Sequence, residues 1–232
     1  EQVVLENGGA TTGVVVRRGL RREFLSADLV VLAAGGLGTP EILRRSGIRT
    51  EDRLFVDPVL CVAGPAAEVH QDEETPMPFL VDGDGYILSP YFDYPSFFFS
   101  PAWRKPRHDI VSLMIKLADS ELGSVTGRRV HKSLTDRDRR RLAAATESST
   151  EILARFGVRR ESIFRGMLTA GHPGGMLPLT GLEREPFHAE HLASNLYVAD
   201  ASLFPMSLGK PPMLTIMALA KRVARLCMER FA

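Results

Sequence analysis

The last quarter of this chain, 166–225, constrains it most. Residues 195–199 (NLYVA) form a short apolar run in which Leu196 and Val198 bracket Tyr197. Asp200, Ala201 and Ser202 follow where that strand must end, and after a loop Pro211-Pro212 precede a pattern in which Ile216, Leu219, Ala220, Val223 and Cys227 recur at helical spacing. Proline suits a first helical turn because an N–H there has no intrahelical partner. The N–H groups of Met213, Leu214 and Thr215 are therefore free, with the positive end of the helix dipole among them. Such an end is a site for an anion or for developing negative charge.

A second constraint lies near the start. Residues 29–34 are a continuous apolar run, the pattern of a strand buried on both faces. Gly35, Gly36 and Gly38 let the backbone turn sharply behind it; Thr39 is placed to cap a helix with Pro40 at its first position and Gly47 just past its end. Before this run, 3–5, 13–17 and 22–25 read as an antiparallel meander with turns at Asn7-Gly8-Gly9 and Arg18-Gly19. Residues 57–106, rich in Pro, Gly and aromatics, read as loops that either line a substrate mouth or pack over a sheet. Val111, Leu113, Ile115 and Leu117 alternate within 109–117, the pattern of a half-buried strand, and 119–123 reads as a turn into a partner strand over 124–130. Thr135 and Asp138 open a long helix over 135–156, with Leu142, Ala145, Ser149, Ile152, Leu153 and Phe156 on one face, a solvated run of arginines from 137 to 141, and Gly157 at its end. Residues 162–168 read as a strand that delivers the chain to His172.

The order His172-Pro173-Gly174-Gly175, then 196–202 (LYVADAS), then 211–220 (PPMLTIMALA) resembles the C-terminal end of the glucose–methanol–choline (GMC) flavin oxidoreductases. Residues 27–36 (ADLVVLAAGG), followed by Thr39-Pro40-Glu41-Ile42-Leu43 and Ser46-Gly47-Ile48, resemble that family's second signature. The resemblance implies an α/β (α+β) chain, part of an FAD-binding three-layer Rossmann-like domain with an antiparallel-sheet substrate domain inserted. The corresponding division is 1–56 and 166–232 for the flavin domain and 57–165 for the substrate domain. It also implies that the half of the flavin domain carrying the glycine-rich turn for the adenosine diphosphate of FAD is missing and must be supplied by a partner segment. Gly36-Leu37-Gly38 is no substitute, because the third glycine position is Glu41, whose carboxylate would repel a pyrophosphate.

In the family, a base removes the hydroxyl proton of an alcohol while hydride passes to flavin N5. His172 matches the catalytic histidine, and an imidazole's ordinary pKa of about 6.5 suits that role. Ala34, Gly35, Gly38 and Thr39 match one wall of the FAD site, and Asp200 and Ala201 match the segment near the ribityl and phosphate region. Pro212 and Met213 match the helix start that faces the charge gathered by the reduced flavin. Pro211 departs from the family's Asn or His and offers no donor, which leaves His172 without its usual partner. Adjacent Lys210 is a candidate hydrogen-bond donor to substrate. Two rivals remain: a flavoprotein of this fold acting on another C–H donor, and a non-catalytic remnant or partner subunit.

A net charge of +1 gives no electrostatic case for nucleic acid. Cys61 and Cys227 form no CxxC pair, and His188-Ala189-Glu190-His191 has metal-like spacing without a third ligand nearby, so no metal is expected. His70, His108 and His131 have no partner legible in the sequence. No apolar run reaches membrane-spanning length and no signal pattern opens the chain, which makes the cytoplasm the expected location.

Overall fold

The computed structural model describes residues 1–6, 9–127, 129–184 and 186–231. Strands β1 (Gln2–Leu5), β2 (Thr11–Arg18) and β3 (Arg21–Ser26) form the expected antiparallel meander, in that order. Its first turn falls partly outside the described residues, at Asn7 and Gly8. Strand β4 (Val30–Leu32) corrects the doubly buried expectation: Val30 and Leu32 enter the core while Val31 is 45% exposed. The covered face meets Leu43, Leu196, Val198, Leu219 and Val223, and no layer among the described residues covers the other.

Helix α1 (Gly35–Arg45) starts earlier than Thr39, with Ala34 as its N-cap and Pro40 inside it. Pro40 is tolerated because the single bond it removes is the one to the carbonyl of residue 36, within the first turns. Thr39 is thus no N-cap. Its hydroxyl instead accepts from the N–H of Ala34 (3.1 Å) and donates to Asp200 Oδ2 (2.5 Å).

The region read as loops holds real strands. They are β5 (Pro58–Pro65), β6 (Val81–Gly83) and β7 (Tyr86–Pro90), followed by helix α2 (Tyr94–Phe99). Next come β8 (Ile110–Leu117), the hairpin β9 (Gly123–Thr126) and β10 (Arg129–Lys132), and helix α3 (Asp136–Phe156). Strands β11 (Phe164–Arg165) and β12 (Thr169–Ala170) replace the one expected over 162–168. Strand β13 (Leu196–Val198) and helix α4 (Met213–Phe231) end the chain.

The main sheet is antiparallel, ordered β11-β5-β8-β7-β6 with β12 also on β5. All of β8 is buried, not half of it. Val111, Leu113 and Ile115 face Ala145 and Leu153 of α3; Ile110 and Met114 face Cys61, Phe92 and Trp103 on the other side. The partner expected for β8 over 124–130 pairs within its own β9–β10 hairpin instead of with β8, and Arg128 lies outside the described residues. The aromatic segment divides: Phe92 and Trp103 pack edge to face under the sheet, whereas Phe98 and Phe99 are exposed.

Helix α3 has the expected capping box between Thr135 and Asp138. Its buried face runs through Ala145, Thr146, Ser149 and Leu153, while Ile152 and Phe156 are exposed. Small side chains allow the helix to approach the sheet, and the Thr146 and Ser149 hydroxyls are satisfied by the carbonyls of Leu142 and Ala145. Thr135→Ala is expected to lower stability by about 1 kcal/mol. Asp138→Ala should cost more, because Asp138 Oδ1 also accepts from the Ser120 N–H and hydroxyl. Urea midpoints of the two variants at unchanged slope test this order.

Strands β4 and β13 form a parallel pair, with Leu196, Tyr197 and Val198 opposite Val30, Val31 and Leu32. Leu219, Val223 and Cys227 of α4 bury against this pair, as the helical spacing predicts.

Candidate functional site

The turn at 172–175 sits where three parts of the fold meet. The N–H groups of Gly171 and His172 both donate to the Val56 carbonyl (3.0 Å each). Phe55 and Gly174 exchange N–H···O bonds (3.1 and 3.0 Å), and the Gly175 N–H reaches the Ala201 carbonyl (3.1 Å). From the other side α1 presses against the turn: a Cβ on Gly36 would lie 2.0 Å from the Pro173 carbonyl oxygen. Asp200 joins the remaining edges. Its Oδ2 accepts from the Gly35 N–H (3.0 Å) and the Thr39 hydroxyl, and its Oδ1 accepts from the Ser202 N–H (2.9 Å). Ala34, Gly35, Thr39, His172, Asp200 and Ala201, scattered in sequence, therefore share one neighbourhood, with Gly38 in the same turn of α1. The Asp200 carboxylate is engaged by the chain itself and is buried, so it braces the site.

His172 is 40% exposed, but its Nδ1 is buried and has no hydrogen-bond partner among the described residues. That nitrogen lies 3.4 Å from Asp57 Oδ2. Asp57 stands just before β5 with a left-handed backbone (φ 49°), and its N–H is held by Asp119 Oδ1 (2.9 Å). A non-glycine residue in that conformation is uncommon, although Asp tolerates it better than most. The Asp57 side chain is buried and accepts from Lys116 Nζ at 2.6 Å; both side chains are only 1% exposed. Ser207 donates its hydroxyl to Asp57 Oδ1, and Lys116 Nζ also donates to the Lys210 carbonyl (3.0 Å).

Burial raises the Asp57 pKa, but His172, Lys116 and Ser207 together outweigh it and hold the carboxyl below its ordinary 3.8. The resulting stabilisation is fully present above that ordinary value and is lost as pH falls through the lower folded value. Asp119 goes the other way. Burial dominates the pull of Lys132 and of the Asp57 and Val56 N–H groups, and its carboxyl is raised. Its stabilising contribution is present below the unfolded pKa and lost as pH rises through the folded one.

Sequence reasoning missed Asp57, Lys116, Ser207 and Asp119. The available signal was Lys116, a charge inside a strand otherwise apolar but for Ser112, which buried pairing has to neutralise. The Lys210 ammonium pairs with Asp82 of the β6 hairpin, so it is the Lys210 backbone that reaches the site. Pro211 is exposed and Pro212 buried. The Ile216 N–H bonds the Pro212 carbonyl (2.8 Å), which leaves the N–H groups of Met213, Leu214 and Thr215 ahead of the first α-helical bond.

Elsewhere, His188 and His191 face separate carbonyls, of Ala193 and Arg49. His70 and His108 stack at 5.4 Å, and Glu68 beside His70 raises that imidazole's pKa. No helix among the described residues is long and apolar enough to cross a membrane.

The family model described as GMC oxidoreductase matches residues 97–220. An uncharacterized protein of Methanocaldococcus jannaschii is 30% identical over 214 residues, covering 87% of this chain and 53% of that protein. Among solved structures, pyridoxine 4-oxidase from Mesorbium loti aligns with a TM-score of 0.72 at 20% identity, over 98% of this chain and 56% of its own. A formate oxidase variant from Aspergillus oryzae RIB40, studied for FAD modification, aligns with a TM-score of 0.74 at 13% identity, over 99% and 59%. This chain thus spans about half the length of the curated relative it matches. The structural likenesses establish the α/β fold with its antiparallel sheet, and the match over more than half of the sequence establishes that the chain belongs to the GMC oxidoreductases, a family of flavin-dependent enzymes.

Proposed function

We propose that this chain forms part of an FAD-dependent oxidoreductase acting on CH–OH donors, with His172 accepting the hydroxyl proton. The observation that carries the reading is the half-open imidazole of His172: one nitrogen is turned inward to a carboxylate, in a turn locked between α1, Phe55 and Ala201.

The residues present fit the cofactor. Gly35 adopts φ +78°, and a Cβ there would meet no atom within 4 Å, so bare backbone is offered beside the turn. The N–H groups of Met213, Leu214 and Thr215 provide partial positive charge at the start of α4. We assign Ala34, Gly35, Gly38, Thr39, Asp200, Ala201, Pro212 and Met213 to holding FAD. Bound there, FAD supplies the acceptor for the hydride that leaves the donor carbon.

The chain's own part is positional. The 172–175 turn places the imidazole, the exposed ring edge receives the hydroxyl proton, and the Lys116–Asp57 pair closes the site from behind. We assign 1–56 and 166–232 to the cofactor side and 57–165 to the substrate side. A glycine-rich segment of the kind the family resemblance implies is assigned as the partner needed to retain FAD.

The test is the absorption spectrum after desalting of the chain produced together with that segment, followed by anaerobic exposure to an alcohol panel. Flavin should be retained and bleached. His172→Ala should keep the flavin and slow bleaching by about 10²–10⁴-fold. Absence of flavin from the complete protein overturns the reading. Pro211, without a donor, favours a second reading in which the donor is another C–H compound; bleaching by amines or aldehydes but by no alcohol would select it.

A further inference from the structure

We propose that Asp57 is a positioning residue for His172: it accepts from the Nδ1–H and leaves Nε2 as the open acceptor, while Lys116 behind it ties the pair to the loop entering α4. The inference rests on the reading of His172 as proton acceptor and says how this chain prepares it.

The argument is one of donor and acceptor count. Asp57 Oδ1 receives the Ser207 hydroxyl, and Oδ2 receives the Lys116 ammonium at 2.6 Å. The group facing Oδ2 next is His172 Nδ1, at 3.4 Å and shielded from solvent. A carboxylate accepts only, so a bare nitrogen lone pair there would set two acceptors against each other in a dry site. An N–H at Nδ1 removes that conflict, and a closure of about 0.3 Å brings the pair into hydrogen-bond range. The neutral ring can carry only one proton, so Nε2 becomes the acceptor. When the donor's O–H bond breaks, its proton goes to Nε2 and the bonding pair stays on oxygen. The imidazolium so formed keeps its Nδ1–H against a carboxylate.

Lys116 makes this arrangement rigid. It is fixed on the central strand β8, opposite Val59 of β5. Its ammonium reaches both Asp57 and the Lys210 carbonyl, and Ser207 comes from that same loop. The carboxylate thus gathers the start of β5, the end of β8 and the approach to α4 around one imidazole nitrogen. The second partner that Pro211 cannot provide on the substrate side is offset by a firmer hold on the far side of the ring.

The test reads the tautomer directly. Chain labelled with ¹⁵N at histidine is examined by two-bond ¹H–¹⁵N correlation at a pH where His172 is neutral, with its signals identified by their loss in His172→Gln. The expected pattern is protonated Nδ1 and bare Nε2. In Asp57→Asn the amide oxygen stays at the Oδ2 position, held by the Lys116 ammonium and still facing Nδ1, so a neutral acceptor replaces the carboxylate; in Asp57→Asn/Lys116→Met the NH₂ is free to turn toward Nδ1 and the ring switches to the Nε2–H form. In flavin-loaded Asp57→Asn, kcat should fall at least about 10²-fold with KM changed far less. The double variant Asp57→Asn/Lys116→Met removes the stranded charge and should regain thermal stability without regaining kcat. A wild-type ring protonated at Nε2, or a double variant restored in kcat as well as stability, overturns the proposal. An Nδ1–H ring that switches in Asp57→Asn/Lys116→Met, in a protein whose flavin no CH–OH donor bleaches, upholds the positioning role and rejects the CH–OH reading. Bleaching with the opposite tautomer does the reverse.

Discussion

Lys116→Met should lower stability by about 3–5 kcal/mol, the cost of leaving one member of a buried ion pair alone. Asp57 has Ser207 and His172 besides Lys116, but only Lys116 brings a fixed compensating charge into a site where both side chains are 1% exposed. For a chain of this size each kcal/mol corresponds to about 2–4 °C, so the melting temperature should drop by roughly 10 °C. The loss should also depend on pH in a defined direction. Without the ammonium, burial is less opposed and the Asp57 carboxyl titrates higher, so acidification neutralises the stranded group. The stability gap between wild type and variant should narrow as pH falls from neutrality through that raised value, whereas loss of packing alone would leave the gap unchanged. Urea midpoints of both proteins at neutral and mildly acidic pH measure it; an equal gap at both would show that the ammonium does not stabilise through charge.

Gly36→Ala should also destabilise, although the same change inside an ordinary helix gains roughly 0.5–1 kcal/mol. The added Cβ would meet the Pro173 carbonyl oxygen at 2.0 Å, its carbon at 2.4 Å and Gly174 Cα at 2.8 Å. All three are backbone atoms, so no side chain can rotate away, and α1 must part from the 172–175 turn. A net loss of about 2 kcal/mol is expected, within the range of overpacking. His172 would be carried away from Asp57, and flavin retention in the complete protein should weaken with it. A stabilised variant with unchanged flavin retention would mean that α1 and the turn are not in contact.

Much of this was legible in the sequence where a motif and a periodicity agreed. The strand–loop–helix at the C-terminus, the capping box at Thr135 and Asp138, and the β1–β3 meander all formed as their local signals indicate. The convergence of Gly35, His172 and Asp200 was implied by the family resemblance, and the backbone bonds around the turn give it a physical basis. What stayed hidden was set by distant partners. Strand β5 was lost among prolines because Pro58 and Pro65 bound it, though 59–63 is a continuous apolar run. The alternation of β8 suggested one wet face, since nothing local tells that Cys61, Phe92 and Trp103 would cover it. Asp57 looked like a loop carboxylate, and its role depends on Lys116 and Ser207, far along the chain.

The parallel pairing of β4 with β13 bears on the order in which the molecule can assemble. Val30–Leu32 is made well before its partner, Leu196–Val198, with residues 33–195 between them. The antiparallel pairs β6–β7 and β7–β8 and the helix α3 that covers them all close within the intervening stretch. Loop closure of that span delays the β4–β13 contact, and until then β4 holds an apolar edge open to other chains. The site around His172, which needs Asp200 just beyond β13 to clip α1 in place, is therefore a late product of folding, built on a sheet that is already in place.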